Sequence, residues 1–209
     1  MCDEVNHPLF ARFAERVAAS EGNEEQDRRR EVLAGLRGRV IEIGSGSGPN
    51  FRHYPEGVAE LVAIEPEEYL RAKATEAATQ AARPIRVVDA LADDLPFEDG
   101  SFDAAVAVLV LCSVPSQATA LAELRRVVRP GGELRFYEHV IGTSKRLARF
   151  QRVLAPGLAR VFGGCRADRD TGRAIEEAGF RIERSRRFLD RSFVEAPAAP
   201  RILGMARRP

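Results

Sequence analysis

The sequence predicts an α/β protein with a doubly wound, mostly parallel seven-stranded sheet, helices on both faces and a helical cover at the N-terminus. Three observations predict it. Short, almost wholly apolar runs recur along the chain, as strands buried on both faces require. Amphipathic stretches alternate with them, which implies a parallel sheet closed by crossover helices. The first apolar run, Val40–Ile43, feeds directly into a glycine-rich turn.

The elements follow in order. Residues 8–37 read as helix: Leu9, Phe10, Phe13 and Val17 share a face, Ser20–Asn23 is the break, and Val32, Leu33 and Leu36 follow the basic cluster Arg28–Arg30. Val40–Ile43, Leu61–Ile64, Ile85–Val88, Ala104–Val108 and Glu133–Phe136 supply five strands. Helices are expected over Glu67–Ala82 and Gln117–Val128. In the second, Leu121, Leu124 and Val128 fall on one face, Ser116 is the N-cap, and Pro130-Gly131-Gly132 is the stop. The tail supplies a helix around Asp170–Ala178 and two late strands, Ile182–Phe188 and Arg201–Ala206, completing seven. Residues 143–165 are less regular and read as an insertion over the active face. The expected division is a helical cover over 1–38 and one compact domain over 39–209.

Composition narrows the function. The 32 basic and 31 acidic residues almost cancel, so the excess positive charge of a nucleic-acid-binding face is missing and no nucleic-acid partner is expected. The longest mainly apolar stretch, Ala104–Val114, is far below the ~20 residues that span a bilayer, so no integral membrane segment is expected. The chain starts with a polar segment, MCDEVNH, rather than the charged end and apolar run of a leader peptide, so the cytoplasm is the expected compartment. The Ala- and Arg-heavy composition points to a GC-rich bacterial genome. Cys2, Cys112 and Cys165 are far apart with no C-x-x-C pair, which argues against a disulfide framework or a structural zinc site.

Three motifs carry chemistry. In V-I-E-I-G-S-G-S-G, residues 40–48, Gly44 and Gly46 leave the turn without side chains to block a ligand, before backbone N–H groups of the next segment. A dinucleotide fingerprint would need glycine at position 49, where the chain has Pro49. Glu42, an acid inside a buried strand, needs a partner, either an ammonium-bearing ligand or the loop amides that hold one. Glu65 ends the second strand about 20 residues beyond the turn, where an acid can accept both hydroxyls of a ribose. NAD enzymes use that arrangement too, so Glu65 alone does not choose the cofactor. Finally A-D-D-L-P-F-E-D-G-S-F-D, residues 92–103, sets a loop at the carboxyl end of the third strand, where an adenine ring would lie, with Phe97 and Phe102 also suited to the core.

Together E-I-G-S-G-S-G, Glu65, L-P-F-E-D-G-S-F-D and L-R-R-V-V-R-P-G-G resemble the class I S-adenosylmethionine-dependent methyltransferases, whose fold is Rossmann-like. N-F-R-H-Y-P at 50–55, L-V-L-C-S-V at 109–114, F-Y-E-H-V at 136–140, G-G-C-x-x-x-R-D-T at 163–171 and the terminal P-R-I-L-G-M-A-R resemble one branch, the methyltransferase-like group that contains the alkyl thiol S-methyltransferases. The resemblance covers roughly residues 30–209. It implies S-adenosyl-L-methionine as cofactor and a small-molecule methyl acceptor, first of all a thiol. It implies that Glu42, Gly44 and Gly46 hold the methionine end and that Glu65, with Pro66 beside it, takes the ribose. Ala92 and Asp93 would face adenine, and Leu109 would offer backbone to the methionyl ammonium. Two departures stand out. Leu91 occupies a place where many relatives carry an acid or amide for adenine, so recognition would rest on backbone or on Asp93. Arg166 stands where a histidine is expected in the G-G-C-H string. Eukaryotic members carry a hydrophobic N-terminal anchor, which this sequence is not expected to have.

A sulfonium donor is already activated, so the expected chemistry needs no covalent intermediate and no metal. It needs the nucleophile held in line, ~3–3.5 Å from the methyl group, in a dry site. A thiol acceptor, only a few per cent ionised at neutral pH, would gain from a nearby base or positive charge. His139 is the candidate base, against a histidine that only packs. Asn50, Tyr54, Cys112 and Cys165 are candidates for the substrate pocket, against simple space-filling. The N-terminal helices, with Phe10 and Phe13, could form a lid over the acceptor or ordinary core. Methylation of a lipid or quinone precursor is the alternative, and a cofactor-binding module without catalysis or an NAD oxidoreductase is the alternative of another class.

Overall fold

The computed structural model describes residues 8–161, 163–189 and 200–209; Cys2 and the side chain of Leu9 lie outside the described residues. Two helices, α1 (Pro8–Ala19) and α2 (Asn23–Leu33), precede strands β1 (Gly38–Ile43), β2 (Val58–Ile64), β3 (Ile85–Val88), β4 (Phe102–Val108) and β5 (Val128–His139). Helix α3 (Glu68–Thr79) connects β2 to β3, and α4 (Gln117–Val127) connects β4 to β5. The chain then runs through α5 (Lys145–Val161), α6 (Thr171–Glu177), β6 (Arg181–Leu189) and β7 (Pro200–Arg207).

The seven strands form one sheet in the order β3-β2-β1-β4-β5-β7-β6. β1 pairs in parallel with both β2 and β4, while β7 runs antiparallel between β5 and β6. The order reverses between β1 and β4, and such a switch leaves a crevice at the carboxyl ends of the strands. Neighbouring residues in a strand point to opposite faces. Ile41, Ile43, Val62 and Ile64 thus pack with Leu121, Leu124 and Val127 of α4 and Ile175 of α6. Val40, Leu61, Ala63 and Val106 pack on the other face with Val32 and Leu33 of α2 and Ala74 of α3. Burial on both faces is why the strands read as unbroken apolar runs.

Two expectations are corrected. Val128 is not the last helical residue, and Pro130-Gly131-Gly132 is not the helix stop. Val128 adopts extended angles while its N–H still closes on Leu124, and β5 begins at once. The Pro-Gly-Gly stretch lies inside the strand, where pairing with β4 slips between Phe102–Val128 and Ala104–Glu133. Gly131 sits there at φ 76°, a conformation that glycine adopts without steric cost. Residues 143–165 are also more regular than expected, since α5 takes most of them. Its buried side consists of Ala148, Gln151 and Ala155, too small or too polar to show as an apolar stripe. Gln151 accepts from the Gly142 N–H at 2.6 Å and donates to the carbonyls of Val140 and Ala167.

The N-terminal helices dock partly through charge. Arg201 of β7, 2% exposed, donates to Glu25 Oε2 of α2 at 2.7 Å and also bonds the Tyr137 hydroxyl of β5. Tyr137 donates to the same Glu25 oxygen at 3.0 Å. Arg28 also reaches that Glu25 oxygen, at 3.3 Å, so the buried acid that ties α2 to the sheet is compensated by two cations.

Candidate active site

A cavity of about 610 Å³ opens at the carboxyl ends of the parallel strands, within the ~300–1,000 Å³ usual for small-molecule sites. The turn after β1, the acid after β2, the loop after β3 and the loop after β4 form its floor, and Phe10, Phe13 and Val17 of α1 lie over it.

The glycine turn is shaped for contact with a ligand. Gly44 and Gly46 have φ 60° and 56°. A Cβ on Gly46 would meet no protein atom within 4 Å, whereas one on Gly44 would lie 2.2 Å from Val110 Cγ2. Gly46 therefore leaves space on the cavity side, and Gly44 lets the turn lie against the β4 loop. Ser45 Oγ is buried at the cavity wall without a hydrogen-bond partner. Glu65 accepts from the Gly46 N–H at 2.7 Å and from the Glu67 N–H at 3.1 Å. Burial pushes its carboxyl above the ordinary range. Pro66, Ala92 and Asp93 line the same cavity, and so does Leu91, 44% exposed.

Glu42 meets its partners in a different way from that expected. Asn50 Nδ2 donates to one of its oxygens at 2.6 Å and the Tyr54 hydroxyl to the other at 2.8 Å. These side chains, and not loop amides, satisfy the buried acid. Burial pushes its pKa up to about 7, against the pull of those two bonds. Tyr54 is thereby corrected as a substrate-pocket residue: it is buried behind Glu42 and is not part of the cavity wall, while Asn50 is. Arg29 donates to Asn50 Oδ1 at 2.9 Å and pairs with Glu21, and both charged residues line this end of the cavity.

Leu109 has φ 56°, which costs ~1–3 kcal/mol in a non-glycine residue and persists only where the surroundings impose it. The Leu109 N–H donates to the Tyr137 carbonyl at 2.7 Å. Glu138, fully buried, then accepts from three successive backbone amides, Val110 at 3.0 Å, Leu111 at 2.9 Å and Cys112 at 3.1 Å. Burial pushes its carboxyl up, and the three donors pull it back.

At the far end, Cys112, His139 and Cys165 converge. His139 Nδ1 is 3.7 Å from Cys112 Sγ and 3.6 Å from Cys165 Sγ, and the two sulfurs are 3.5 Å apart. The neighbouring Cys165 thiol and then burial push the Cys112 thiol up. The Arg166 N–H donates to the Cys112 carbonyl at 2.8 Å, and Arg169 donates to the carbonyls of Leu111 and Val114. The Arg166 side chain itself turns to Asp168.

Sequence reasoning placed Glu42, Gly44, Gly46, Glu65, Pro66, Ala92, Asp93, Leu109, Asn50, Cys112, His139 and Cys165, and the structure brings all of them to one cavity. It missed Arg29, Glu21 and Glu138. Glu138 stood in a quoted string, but between Tyr137 and His139 and beyond the run Glu133–Phe136 that reads as a strand, so the signal that singled out Glu42 was weaker there.

The profile of the family described as methyltransferase domain matches residues 41–136. Human thiol S-methyltransferase TMT1B is 35% identical over 181 residues, 83% of this chain and 73% of that protein. The mouse protein of the same name is 32% identical over 94% of this chain and 85% of its own length. Among solved structures, geranyl diphosphate C-methyltransferase of Streptomyces coelicolor, in complex with Mg2+, geranyl diphosphate and S-adenosyl-L-homocysteine, superposes with a TM-score of 0.69 at 14% identity. The match covers 93% of this chain and 85% of that one, and shows likeness of fold.

Proposed function

The chain belongs to the class I S-adenosylmethionine-dependent methyltransferases, and from that premise we propose that it methylates the sulfur of a small thiol. S-adenosyl-L-methionine is its cofactor, and the empty space beside Gly46 and the unpartnered Ser45 hydroxyl suit such a ligand. When bound, the cofactor supplies a methyl group on a sulfonium, which needs no further activation.

In this reading each predicted residue takes a part. Glu65 accepts the ribose hydroxyls, with Pro66 beside them. Ala92 and Asp93 bound the adenine, Asp93 and backbone doing the work that Leu91 cannot. Glu42, Gly44 and Gly46 hold the amino-acid end, the Leu109 carbonyl receives the ammonium, and Arg29 is the matching cation for the carboxylate. Residues 1–38 act as cover and 39–209 as the catalytic unit, with α1 excluding water from the reacting atoms, which strengthens every charge interaction inside. His139, with Cys112 and Cys165, forms the acceptor end. His139 is the catalytic residue there and promotes the acceptor's thiolate.

The observation that carries the reading is this acceptor corner, where a buried imidazole and two sulfurs border the same cavity as the glycine turn. The relatives named as thiol S-methyltransferases support it. One observation favours the alternative, a lipid or quinone precursor: Phe150 and Val153 of α5 are 55% and 72% exposed beside basic residues. Among the described residues no helix is long and apolar enough to cross a membrane, and the cytoplasm of a bacterium remains our proposed setting. Methyl-labelled donor offered to alkyl thiols, phospholipids and quinone precursors decides between acceptors. Label on thiols is expected, and label on a non-thiol alone refutes the proposal.

A further inference from the structure

Cys112, His139 and Cys165 come from three segments held in place by separate bonds. Cys112 lies in the β4 loop, clamped by Glu138. His139 ends β5, paired with Arg201 of β7. Cys165 follows α5, and the Arg166–Cys112 backbone bond holds its segment against the β4 loop. Gly164, at φ 82°, lies close enough to the Ser113 carbonyl that a Cβ would sit 3.0 Å from its oxygen.

The distances suit a metal. Zinc bonds thiolate at ~2.3 Å and imidazole at ~2.0–2.1 Å, so tetrahedral ligands stand about 3.8 Å apart for two sulfurs and about 3.6 Å for sulfur and nitrogen. The observed edges are 3.5, 3.6 and 3.7 Å. A disulfide would need only the two sulfurs and gives no reason for a ring nitrogen nearly equidistant from both. We propose that Cys112, His139 and Cys165 bind a soft divalent cation of the zinc class, with the fourth coordination position open to the cavity and taken by the acceptor's sulfur. Three protein ligands and one open position is the pattern of catalytic zinc sites. The site stands on its own geometry, and its use by the acceptor rests on the thiol reading above.

Cys112 and Cys165 lose their S–H protons to solvent when the cation binds. The acceptor's S–H bond then breaks on coordination, its proton also leaves to solvent, and its sulfur keeps the electron pair. That pair forms the new S–CH3 bond while the C–S bond of the donor breaks and its electrons return to the donor sulfur. His139 then acts through Nδ1 as a ligand and not as a proton acceptor.

The test uses the full chain, reduced and stripped with a chelator, then titrated with Zn2+ or Co2+ alone. One equivalent is expected to bind, and cobalt should show thiolate charge transfer and the intense visible bands of a four-coordinate site. Cys165→Ser, at the less buried sulfur, should weaken binding at least tenfold, with circular dichroism and S-adenosylhomocysteine affinity as checks that it folds. An added alkyl thiol should shift the cobalt bands, and its methyl thioether should not. Absence of stoichiometric metal, or binding that Cys165→Ser and Cys112→Ser leave unchanged, overturns the site. Metal binding with label only on non-thiols would sink the acceptor reading and leave the site standing. Full thiol methylation by metal-free protein would do the reverse to the cation's role.

Discussion

Replacing Glu138 with glutamine tests the clamp on the β4 loop. Its two oxygens accept three backbone N–H groups, two on one oxygen and one on the other. The amide keeps a single carbonyl oxygen, so its NH2 must face the third donor, and one backbone N–H in a buried loop loses its acceptor. The orphaned N–H costs ~1–3 kcal/mol; burial already pushes the Glu138 carboxyl toward its neutral form, so the bonds that glutamine keeps lose little. A loss of about 2 kcal/mol is the central expectation, and for a domain of this size it lowers Tm by roughly 4–8 °C. Thermal unfolding by circular dichroism reads the stability. Calorimetric titration with S-adenosylhomocysteine reads the second effect, because Leu109 holds its positive φ only while the following turn is fixed. We expect at least tenfold weaker binding. A Tm within about 2 °C of the parent would show that the carboxylate does not carry three donors, and the account of the loop would fail with it.

Gly46→Val puts a side chain into the open side of the glycine turn and should abolish S-adenosylhomocysteine binding, while its αL strain costs only ~1–2 kcal/mol of stability; unchanged affinity would refute the cofactor assignment. Burial holds Glu42 at about 7 against an ordinary 4.5, so the native state binds the extra proton between those values. The parent should therefore lose stability as pH rises from 4.5 to 7, by up to roughly 3 kcal/mol. Glu42→Gln should flatten that slope in pH-dependent urea unfolding, yet bind S-adenosylhomocysteine more weakly above pH 7. Arg201→Ala takes the nearer cation from Glu25, which keeps Arg28 at 3.3 Å and the Tyr137 hydroxyl, and urea unfolding should show a loss of roughly 2 kcal/mol; a change below ~1 kcal/mol would mean that the network is solvated.

The strands were legible because both of their faces are buried, so a few apolar residues in a row had one reading. The β1 turn and Glu65 were legible because their chemistry is local: a strand, two glycines and an acid at the next strand's tip sit within about 20 residues of one another. The helix α5 was not read as one element because Pro156 lies inside it, and its packing was not legible because its apolar residues Phe150 and Leu154 are exposed while Ala148, Gln151 and Ala155 face inward. The inner faces of α2 and β7 escaped for a related reason, because Glu25, Arg28, Arg29 and Arg201 are buried as partners, and a charge is read from sequence as solvated.

Alone, the chain's order of residues determined the strands, the glycine turn after β1 and the acids that flank it, all of which follow from periodicity and short-range spacing. Only the folded arrangement decided what Glu42 bonds to, what holds Leu109 in its strained conformation, and that Cys112 and Cys165, 53 positions apart, meet His139. The sparse spacing of the cysteines argued against a disulfide framework or a structural zinc site, and spacing measures distance along the chain. A ligand set depends on distance in space, and here crossing strands and a loop return close that distance.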